Sequence, residues 1–264
     1  MLLVKGIKGE RVKALQKALK EKGFDPGEID GDFGPATEAA VVAFQKSEDL
    51  LADGKAGPQT LGALGLDVLS EDKRSDATAQ FTVAVVSKMS PNSPIGNIKT
   101  HLPHVLSALQ VLNLGDRDMV LMAIATIRAE TEGFVPISEF KSRFNTPPGG
   151  PPFALYDNRR DLGNKGHPDG SKFKGRGFVQ LTGRFNYTKI GSQIGVDLVS
   201  DPEKANNPDI AAKILAHFLK SAERCIREAL MDNSLREARI CINGGTHGFD
   251  RFKAAFNEGE RLTA

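Results

Sequence analysis

The sequence predicts a mainly α-helical chain in two parts, a small N-terminal module and a larger domain. Three observations carry this prediction. Apolar residues recur at helical spacing over most of the chain, the first 66 residues contain a repeated turn motif, and residues 67–80 are polar without apolar periodicity. We therefore expect a three-helix module over residues 1–66, a linker over 67–80 and a mainly helical domain over 81–264.

The turn motif D-G-x-x-G-P-x-T occurs twice in the module, at Asp30–Thr37 and Asp53–Thr60. Glycine tolerates unusual backbone angles and proline suits the first turn of a helix, so each copy is typical of a tight turn that leads into a helix. An amphipathic helix precedes each copy, with Leu15-Gln16 in the first and Phe44-Gln45 in the second. An EF-hand is excluded because the loop lacks the spaced ligands and the terminal glutamate.

This module resembles the peptidoglycan-binding domain 1 family, in which two such turns and two such helices follow in the same order. The resemblance implies a wall-anchoring role, with bacterial peptidoglycan bound in a groove near the repeated turns.

In the larger domain, apolar spacing predicts helices over 81–89, 100–113, 116–131, 183–194, 208–230 and 233–242. The stretch Asn145–Asp169 is rich in proline, glycine and asparagine, and we expect an ordered surface loop there. A loop of this length in a compact domain is more often functional than not.

Two glutamates nine positions apart, Glu130 and Glu139, are the candidate catalytic pair. The helix over Met119–Glu130 is apolar on nearly every face, so we expect it at the centre of the domain. Its C-terminal end favours the protonated carboxyl of a general acid, through apolar neighbours and the helix dipole. Glu139 follows a turn, where a more polar setting favours the ionised form of a base. On spacing alone, both could equally be surface charges or salt-bridge partners.

Four blocks of the larger domain resemble the family 19 glycoside hydrolases, in the bacterial and phage branch that includes chitinases and endolysins. The blocks are Arg128–Phe134 with Glu139, Tyr156–Asn164, Phe173–Gly183 continuing to Asn186-Tyr187, and Ile242–Gly245 with Asp250-Arg251. The resemblance implies a lysozyme-like α-helical hydrolase domain. Thr246-His247 follows the Asn-Gly-Gly where plant-type members have Leu-Glu, which favours the compact, endolysin-like branch.

The resemblance also implies residue roles. Glu130 would be the general acid, Glu139 the base that activates water, and Thr182 would help to hold that water. Gln180, Asn186 and Asn243 would bind the sugar, Arg251 would orient the carboxylates, and Tyr156 and Arg159 would shape the cleft. Tyr187 is added as a sugar contact, because the chain has no tryptophan and its two tyrosines both fall inside these motifs. An inverting mechanism is implied, with the carboxyls about 6.5–9.5 Å apart.

The sequence lacks the motifs of three other classes: nucleotide-binding proteins, zinc peptidases and serine hydrolases. The third glycine after Gly175-Arg176-Gly177 is misplaced for a dinucleotide loop, and no P-loop Lys-Ser/Thr follows. The five histidines include no H-E-x-x-H, and no serine-centred nucleophile elbow occurs. We therefore expect no metal and no cofactor.

Bulk composition adds several expectations. The net charge of +2 gives no reason to expect nucleic acid, although residues 159–189 are locally basic and would favour an anionic polymer or simply form a solvated face. Cys225 and Cys241 fit no metal spacing and do not indicate a disulfide framework, so we expect both as buried small hydrophobic residues. The sequence leaves their redox state open. The N-terminal residues lack the apolar core of a signal peptide and no apolar run could cross a bilayer. We expect a monomer made in the cytoplasm that acts on the cell wall in the periplasm, after release through a holin.

The sequence thus predicts an endolysin that hydrolyses the β-1,4 glycosidic bonds of peptidoglycan. Two alternatives stay open, a chitinase acting on N-acetylglucosamine polymers and a wall-binding protein without activity. A lytic transglycosylase, which uses one acid and no water, would be recognised by anhydro-sugar products.

Overall fold

A computed structural model describes residues 3–66 and 75–264; the side chains of Pro58, Gln59 and Asn243 lie outside this description. Among the described residues, helix accounts for 57% and strand and bridge positions for 4%, which confirms the mainly α prediction. The α-helices are α1 Glu10–Glu21, α2 Pro35–Ser47, α3 Pro58–Ala63, α4 Val83–Met89, α5 Ile95–Val111, α6 Arg117–Thr131, α7 Asp169–Lys172, α8 Arg184–Ile194, α9 Pro208–Met231, α10 Leu235–Asn243 and α11 Phe249–Leu262. Two short strands, β1 Ile137–Ser138 and β2 Arg176–Gly177, pair antiparallel.

The described chain forms two compact units. The first comprises Met1–Lys73 with Ala222–Gly244, and the second Arg74–Ser221 with Gly245–Ala264. The predicted boundaries assign 222–244 to the larger domain, whereas these residues cluster with the N-terminal unit. Residues 67–74 of the predicted linker lie outside the described residues.

In the first unit, each repeated turn is fastened by a glutamine from the preceding helix. Gln16 donates to Asp30 Oδ1 at 3.0 Å and accepts from the amide of Gly31 at 2.9 Å. Gln45 makes the equivalent bonds to Asp53 Oδ1 at 3.2 Å and from the amide of Gly54 at 3.0 Å. Both glutamines are buried, so these bonds replace water that the side chains have lost. The sequence repeat is therefore a repeat of one hydrogen-bond pattern.

The helical hairpin 222–244 joins this unit through a buried ion pair and is itself closed by a disulfide. Arg11 of α1 donates from Nη2 to Glu228 Oε1 of α9 at 2.7 Å, and both side chains are buried. Cys225 of α9 and Cys241 of α10 form a disulfide, with a Cα–Cα distance of 5.8 Å. The expectation of burial was therefore wrong for Cys225, which is exposed. The redox state that the sequence left open follows from the hairpin, which brings the two cysteines within bonding range.

The second unit is built around α6. Asp116 caps this helix by accepting from the amide of Met119, and all residues from Met119 to Ala129 are buried, as predicted. The helices α4, α5 and α11 pack against it. The sequence prediction missed α11, which buries Phe252 and Phe256 between many charged residues. No helix in the described parts of the chain is long and apolar enough to cross a membrane.

The segment 75–80, placed by the sequence in the linker, is fixed to the second unit. Asp76 accepts from the Thr78 amide at 2.8 Å and from Gln110 Nε2 of α5 at 2.6 Å. These bonds hold the pKa of Asp76 below its usual value, the Thr78 hydroxyl contributing most.

The stretch Asn145–Asp169 is an ordered loop fixed by buried polar side chains. Asp157 Oδ1 accepts from the Gly170 amide at 2.8 Å, and Asn164 Nδ2 donates to the Tyr156 carbonyl at 2.8 Å. Arg184 Nε donates to Asp169 Oδ2 at 2.7 Å. These contacts connect the loop to the start of α8 and fix the position of Tyr156.

Candidate active site

The position of Glu139 is set by the two-stranded ladder. Ile137 pairs with Gly177 and Ser138 with Arg176, so the next residue, Glu139, comes opposite Gly175. The Glu139 amide donates to the Gly175 carbonyl at 2.7 Å. The Glu139 side chain turns back, and its Oε2 accepts from the Gly175 amide at 3.1 Å. The backbone and the carboxylate of Glu139 are thus both fixed to one glycine.

Two side chains hold the other oxygen of Glu139. Asn145 Nδ2 donates to Oε1 at 2.8 Å and the hydroxyl of Tyr156 donates to Oε1 at 2.9 Å. Three donors on one carboxyl match the ionised form, which only accepts. A carboxylate offers about four acceptor positions, and donors from the described residues fill three of them, which leaves one on Oε2 for a water molecule.

Tyr156 is half-buried and stays protonated. Burial, followed by the hydrogen bond to Glu139, raises the pKa of Tyr156 to about 12, and the nearby charge of Arg159 opposes the shift. Tyr156 is therefore a hydrogen-bond donor at any working pH. Arg159 itself is exposed and forms an ion pair with Asp161, whose hydrogen bonds raise the pKa of Arg159.

Three predicted residues form a chain of hydrogen bonds beside this carboxylate. Asn186 Nδ2 donates to the Thr182 carbonyl at 2.9 Å, and Thr182 Oγ1 donates to the Gln180 carbonyl at 2.7 Å. Gln180 has a left-handed backbone, with φ of 50°, and its Nε2 donates to the Ile137 carbonyl at 3.1 Å. The Thr182 hydroxyl oxygen keeps its acceptor capacity, as a water-holding group requires.

Gly175 allows these groups to come together. A Cβ at this position would lie 2.8 Å from Gln180 Oε1 and 3.2 Å from Glu139 Oε2. The two side chains therefore converge on the space that the glycine leaves open. This contact brings the predicted base and a predicted sugar-binding residue to one place.

Glu130 lies in the last turn of α6 and is half-buried. The helix ends at Thr131, and the next residue, Glu132, has a positive φ of 43°. Arg251, near the start of α11, forms an ion pair with Glu132, and both side chains are partly exposed. Arg251 therefore lies at the same end of α6 as Glu130. The carboxylate that it binds is that of Glu132, to which the sequence assigned no role. The pairing of Glu130 with Glu139 as acid and base stays a prediction.

Burial corrects the prediction for Tyr187. The side chain is fully buried, so it has no surface to offer a sugar. Its hydroxyl donates to the Lys174 carbonyl at 2.8 Å and accepts from Arg176 Nη1 at 3.0 Å, and burial raises its pKa to about 12. Tyr187 instead supports the strand that carries Gly175. The side chain of Asn243 lies outside the description, so its predicted role stays a prediction.

The sequence analysis missed two residues that shape this site. Asn145 is fully buried and binds Glu139, yet in sequence it only begins a loop rich in turn-forming residues. Arg176 is buried and donates from Nε to Glu203 Oε1 at 3.1 Å and from Nη1 to the Lys172 carbonyl at 2.9 Å. The sequence signal for Arg176 is its place between two glycines.

Ion pairs inside the second unit neutralise part of the positive charge of residues 159–189. Arg159, Arg176 and Arg184 pair with Asp161, Glu203 and Asp169, respectively. The hydrogen bonds from Arg184 hold the pKa of Asp169 below its usual value. In the described residues, no group of histidine, cysteine, aspartate and glutamate side chains could hold a metal ion.

Comparisons with protein families match two segments of the chain. Residues 8–64 match the peptidoglycan binding domain family, and residues 159–225 match the family described as chitinase class I, which is glycoside hydrolase family 19. The second match includes Gln180, Thr182 and Asn186. It begins after Glu130 and Glu139.

Individual relatives also match over only part of the chain. A glycosyl hydrolase family 19 domain-containing protein of Haemophilus influenzae is 35% identical over 97 residues, which is 36% of this chain and 45% of that protein. A zinc D-Ala-D-Ala carboxypeptidase of Streptomyces albus G is 46% identical over 67 residues, 24% of this chain and 25% of that protein. The chain thus spans less than half the length of these relatives.

Among solved structures, chitinase C from Streptomyces griseus HUT6037 superimposes with a TM-score of 0.49 at 18% identity, covering 70% of this chain and 76% of that one.

The two family matches cover separate parts of the sequence and follow in the predicted order. The chain therefore contains a peptidoglycan-binding domain of the domain 1 family followed by a domain of glycoside hydrolase family 19.

Proposed function

We propose that the protein is an endolysin-type muramidase that hydrolyses the β-1,4 glycosidic bonds of bacterial peptidoglycan. The observation that carries this proposal is the carboxylate of Glu139, fixed by three donors with one acceptor position open on Oε2. The peptidoglycan-binding domain on the same chain supports the bacterial wall as the substrate.

In the proposed reaction, Glu130 donates its proton to the glycosidic oxygen as the bond to the anomeric carbon breaks. Glu139 Oε2 accepts a proton from a water molecule, and the oxygen of that water bonds to the anomeric carbon from the opposite face. The Thr182 hydroxyl accepts a hydrogen bond from the same water. The product is a new reducing end with inverted configuration, and a proton exchange with solvent restores both carboxyls.

The arrangement around Glu139 favours this base role over a nucleophilic one. A nucleophile must approach the anomeric carbon directly, at a carboxyl separation of about 5–5.5 Å, whereas a base needs space for water and a separation of about 6.5–9.5 Å. Asn145 and Tyr156 occupy Oε1. The carboxylate is thereby restrained, as suits a group that holds a water in place.

A chitinase is the second candidate, favoured by the match of residues 159–225 to the chitinase class I family. It would use the same carboxyls on a neutral polymer of N-acetylglucosamine. A wall-binding protein without activity is the third candidate, and the ordered hydrogen bonds on Glu139 speak against it.

One digestion experiment separates these candidates. Purified sacculi and N-acetylglucosamine hexamers are incubated with the wild type, Glu130→Gln and Glu139→Gln, and new ends are identified by mass spectrometry. We expect reducing N-acetylmuramic acid ends from sacculi with the wild type and a loss of at least about a thousandfold in both variants. Faster cleavage of the hexamer would identify a chitinase, and anhydro-sugar ends would identify a lytic transglycosylase. Variants as active as the wild type would refute the two-carboxyl mechanism.

The cellular role is part of the same proposal. We propose that the protein acts as a monomer on the periplasmic side of the wall, after release through a holin, to lyse a host cell. Expression with and without a holin, followed by culture turbidity, tests this role: lysis without the holin would contradict the release route.

A further inference from the structure

A five-residue turn directly after Glu139 is fully exposed to solvent. It comprises residues 140–144, Phe140-Lys141-Ser142-Arg143-Phe144, and we call it the aromatic–basic turn. Phe140 is 77% exposed and Phe144 is 73% exposed, more than any other described phenylalanine. Exposed apolar groups clustered beside a polar site are typical of ligand-binding surfaces.

The turn is rigid because Asn145 ties its two ends together. Asn145 Nδ2 donates to the Phe140 carbonyl at 2.9 Å, and Asn145 Oδ1 accepts from the Ser142 amide at 2.9 Å. The Thr146 amide also donates to the Ser142 carbonyl at 2.9 Å. Since Asn145 Nδ2 binds Glu139 as well, the same side chain fixes the turn and the proposed base. The exposed rings are therefore held at a set position next to the carboxylate.

The turn carries two positive charges and no negative one. The Arg143 guanidinium lies over the Phe144 ring, 4.9 Å from its centroid. Within the described part of the chain, no ion pair joins Lys141 or Arg143 to a carboxylate. By contrast, Arg159, Arg176 and Arg184 in the neighbouring basic stretch are paired internally. The charges of the turn are thus available to a ligand.

These two features match one class of polymer. The C–H face of a pyranose ring packs on an aromatic ring, and a carboxylate pairs with an ammonium or guanidinium group. Peptidoglycan combines N-acetylated sugars with carboxylates on its stem peptides, and on lactyl groups from which the peptide has been removed, whereas chitin has the sugars alone. The phenylalanines suit both polymers, and the cations suit only the anionic one.

We propose that the aromatic–basic turn is a substrate subsite that selects peptidoglycan over chitin. Phe140 and Phe144 pack against sugar rings next to the scissile bond, and Lys141 and Arg143 bind carboxylates of the same strand. This inference rests on the proposed glycosidase function and adds the residues that decide its substrate.

The test compares three double variants of the full chain. Lys141→Gln/Arg143→Gln removes the charges, Phe140→Ala/Phe144→Ala removes the rings, and Lys99→Gln/Lys253→Gln is the control that removes two exposed charges from α5 and α11. Cleavage rates are measured on solubilised peptidoglycan and on N-acetylglucosamine hexamer. Each rate is measured at about 50 and about 300 mM salt, where the Debye length is about 14 and about 6 Å. Melting temperatures show whether each variant folds.

We expect the charge variant to cut peptidoglycan about tenfold more slowly than the control at low salt, and equally fast at high salt, because exposed ion pairs are weak and screened. Its rate on the hexamer should equal that of the control. The ring variant should lose about tenfold on every substrate that the wild type cuts, at both salt concentrations.

Equal rates on peptidoglycan for the charge variant and the control at low salt would overturn the inference, as would a wild type that prefers the hexamer. A wild type that cuts neither polymer refutes the proposed function itself, so the two failures are distinguishable.

Discussion

Replacing Tyr156 by phenylalanine removes one donor from the proposed base and leaves the ring in place. The lost bond joins a hydroxyl to Glu139 Oε1 at 2.9 Å. Hydrogen bonds to charged groups contribute about 1.5–3 kcal/mol, and the half-buried position of Tyr156 favours the lower end of this range. Because 1.36 kcal/mol corresponds to a factor of ten in rate, a loss of about 1.5 kcal/mol in the transition state slows cleavage about tenfold.

The direction of the change follows from the donor's role. The Tyr156 hydroxyl holds Glu139 Oε1 in place, so its loss lets the carboxylate leave the position in which it would bind a water molecule. Asn145 and the Gly175 amide still bind the carboxylate in this variant, so we expect the cleavage rate to fall about tenfold rather than to disappear.

The assay is the initial rate of sacculus cleavage at one fixed pH, with Tyr187→Phe as the matched control. Tyr187 also donates from a buried hydroxyl, but to the Lys174 carbonyl. We expect Tyr187→Phe to lower the melting temperature without a comparable fall in the cleavage rate. A Tyr156→Phe variant that folds and cleaves as fast as the wild type would refute the reasoning.

Three further perturbations test other parts of the structure. Gly175→Ala should lower activity about 10–100-fold in the cleavage assay, because its Cβ would meet Gln180 Oε1 at 2.8 Å; wild-type rates would contradict this packing. Replacing Cys225 and Cys241 by serine should lower the free energy of unfolding by about 3 kcal/mol, because the disulfide links positions 16 residues apart. Urea unfolding measures this loss, and an unchanged midpoint would show that the bond does not form. Gln45→Leu should cost about 2 kcal/mol in thermal unfolding, because it leaves a buried glycine amide unpaired; a neutral result would mean that the repeated hydrogen-bond pattern does not stabilise the turn.

Local patterns were enough to predict much of the fold. The repeated turn motif predicted helices that begin at Pro35 and Pro58, and the apolar run after Asp116 predicted the buried helix α6. Both signals depend on residues close together in sequence, namely a proline at the first turn and an apolar face at helical spacing.

Features that depend on distant contacts were not predictable from these patterns. The disulfide requires the α9–α10 hairpin to bring Cys225 near Cys241, and a two-cysteine count says nothing of that distance. The burial of Tyr187 results from packing against Phe173, which the motif around it does not show. Asn145 was not predicted because asparagine before Thr-Pro-Pro is typical of a turn. This local pattern carries no information about the contact of Asn145 with Glu139.

The fastening of residues 140–144 at both ends has a practical consequence. Glu139 is located by backbone pairing with Gly175 and by Asn145, and neither depends on which side chains lie between. Those five positions can therefore be exchanged as a cassette. A library randomised there could be screened for altered polymer preference while the hydrolytic machinery is left as it stands.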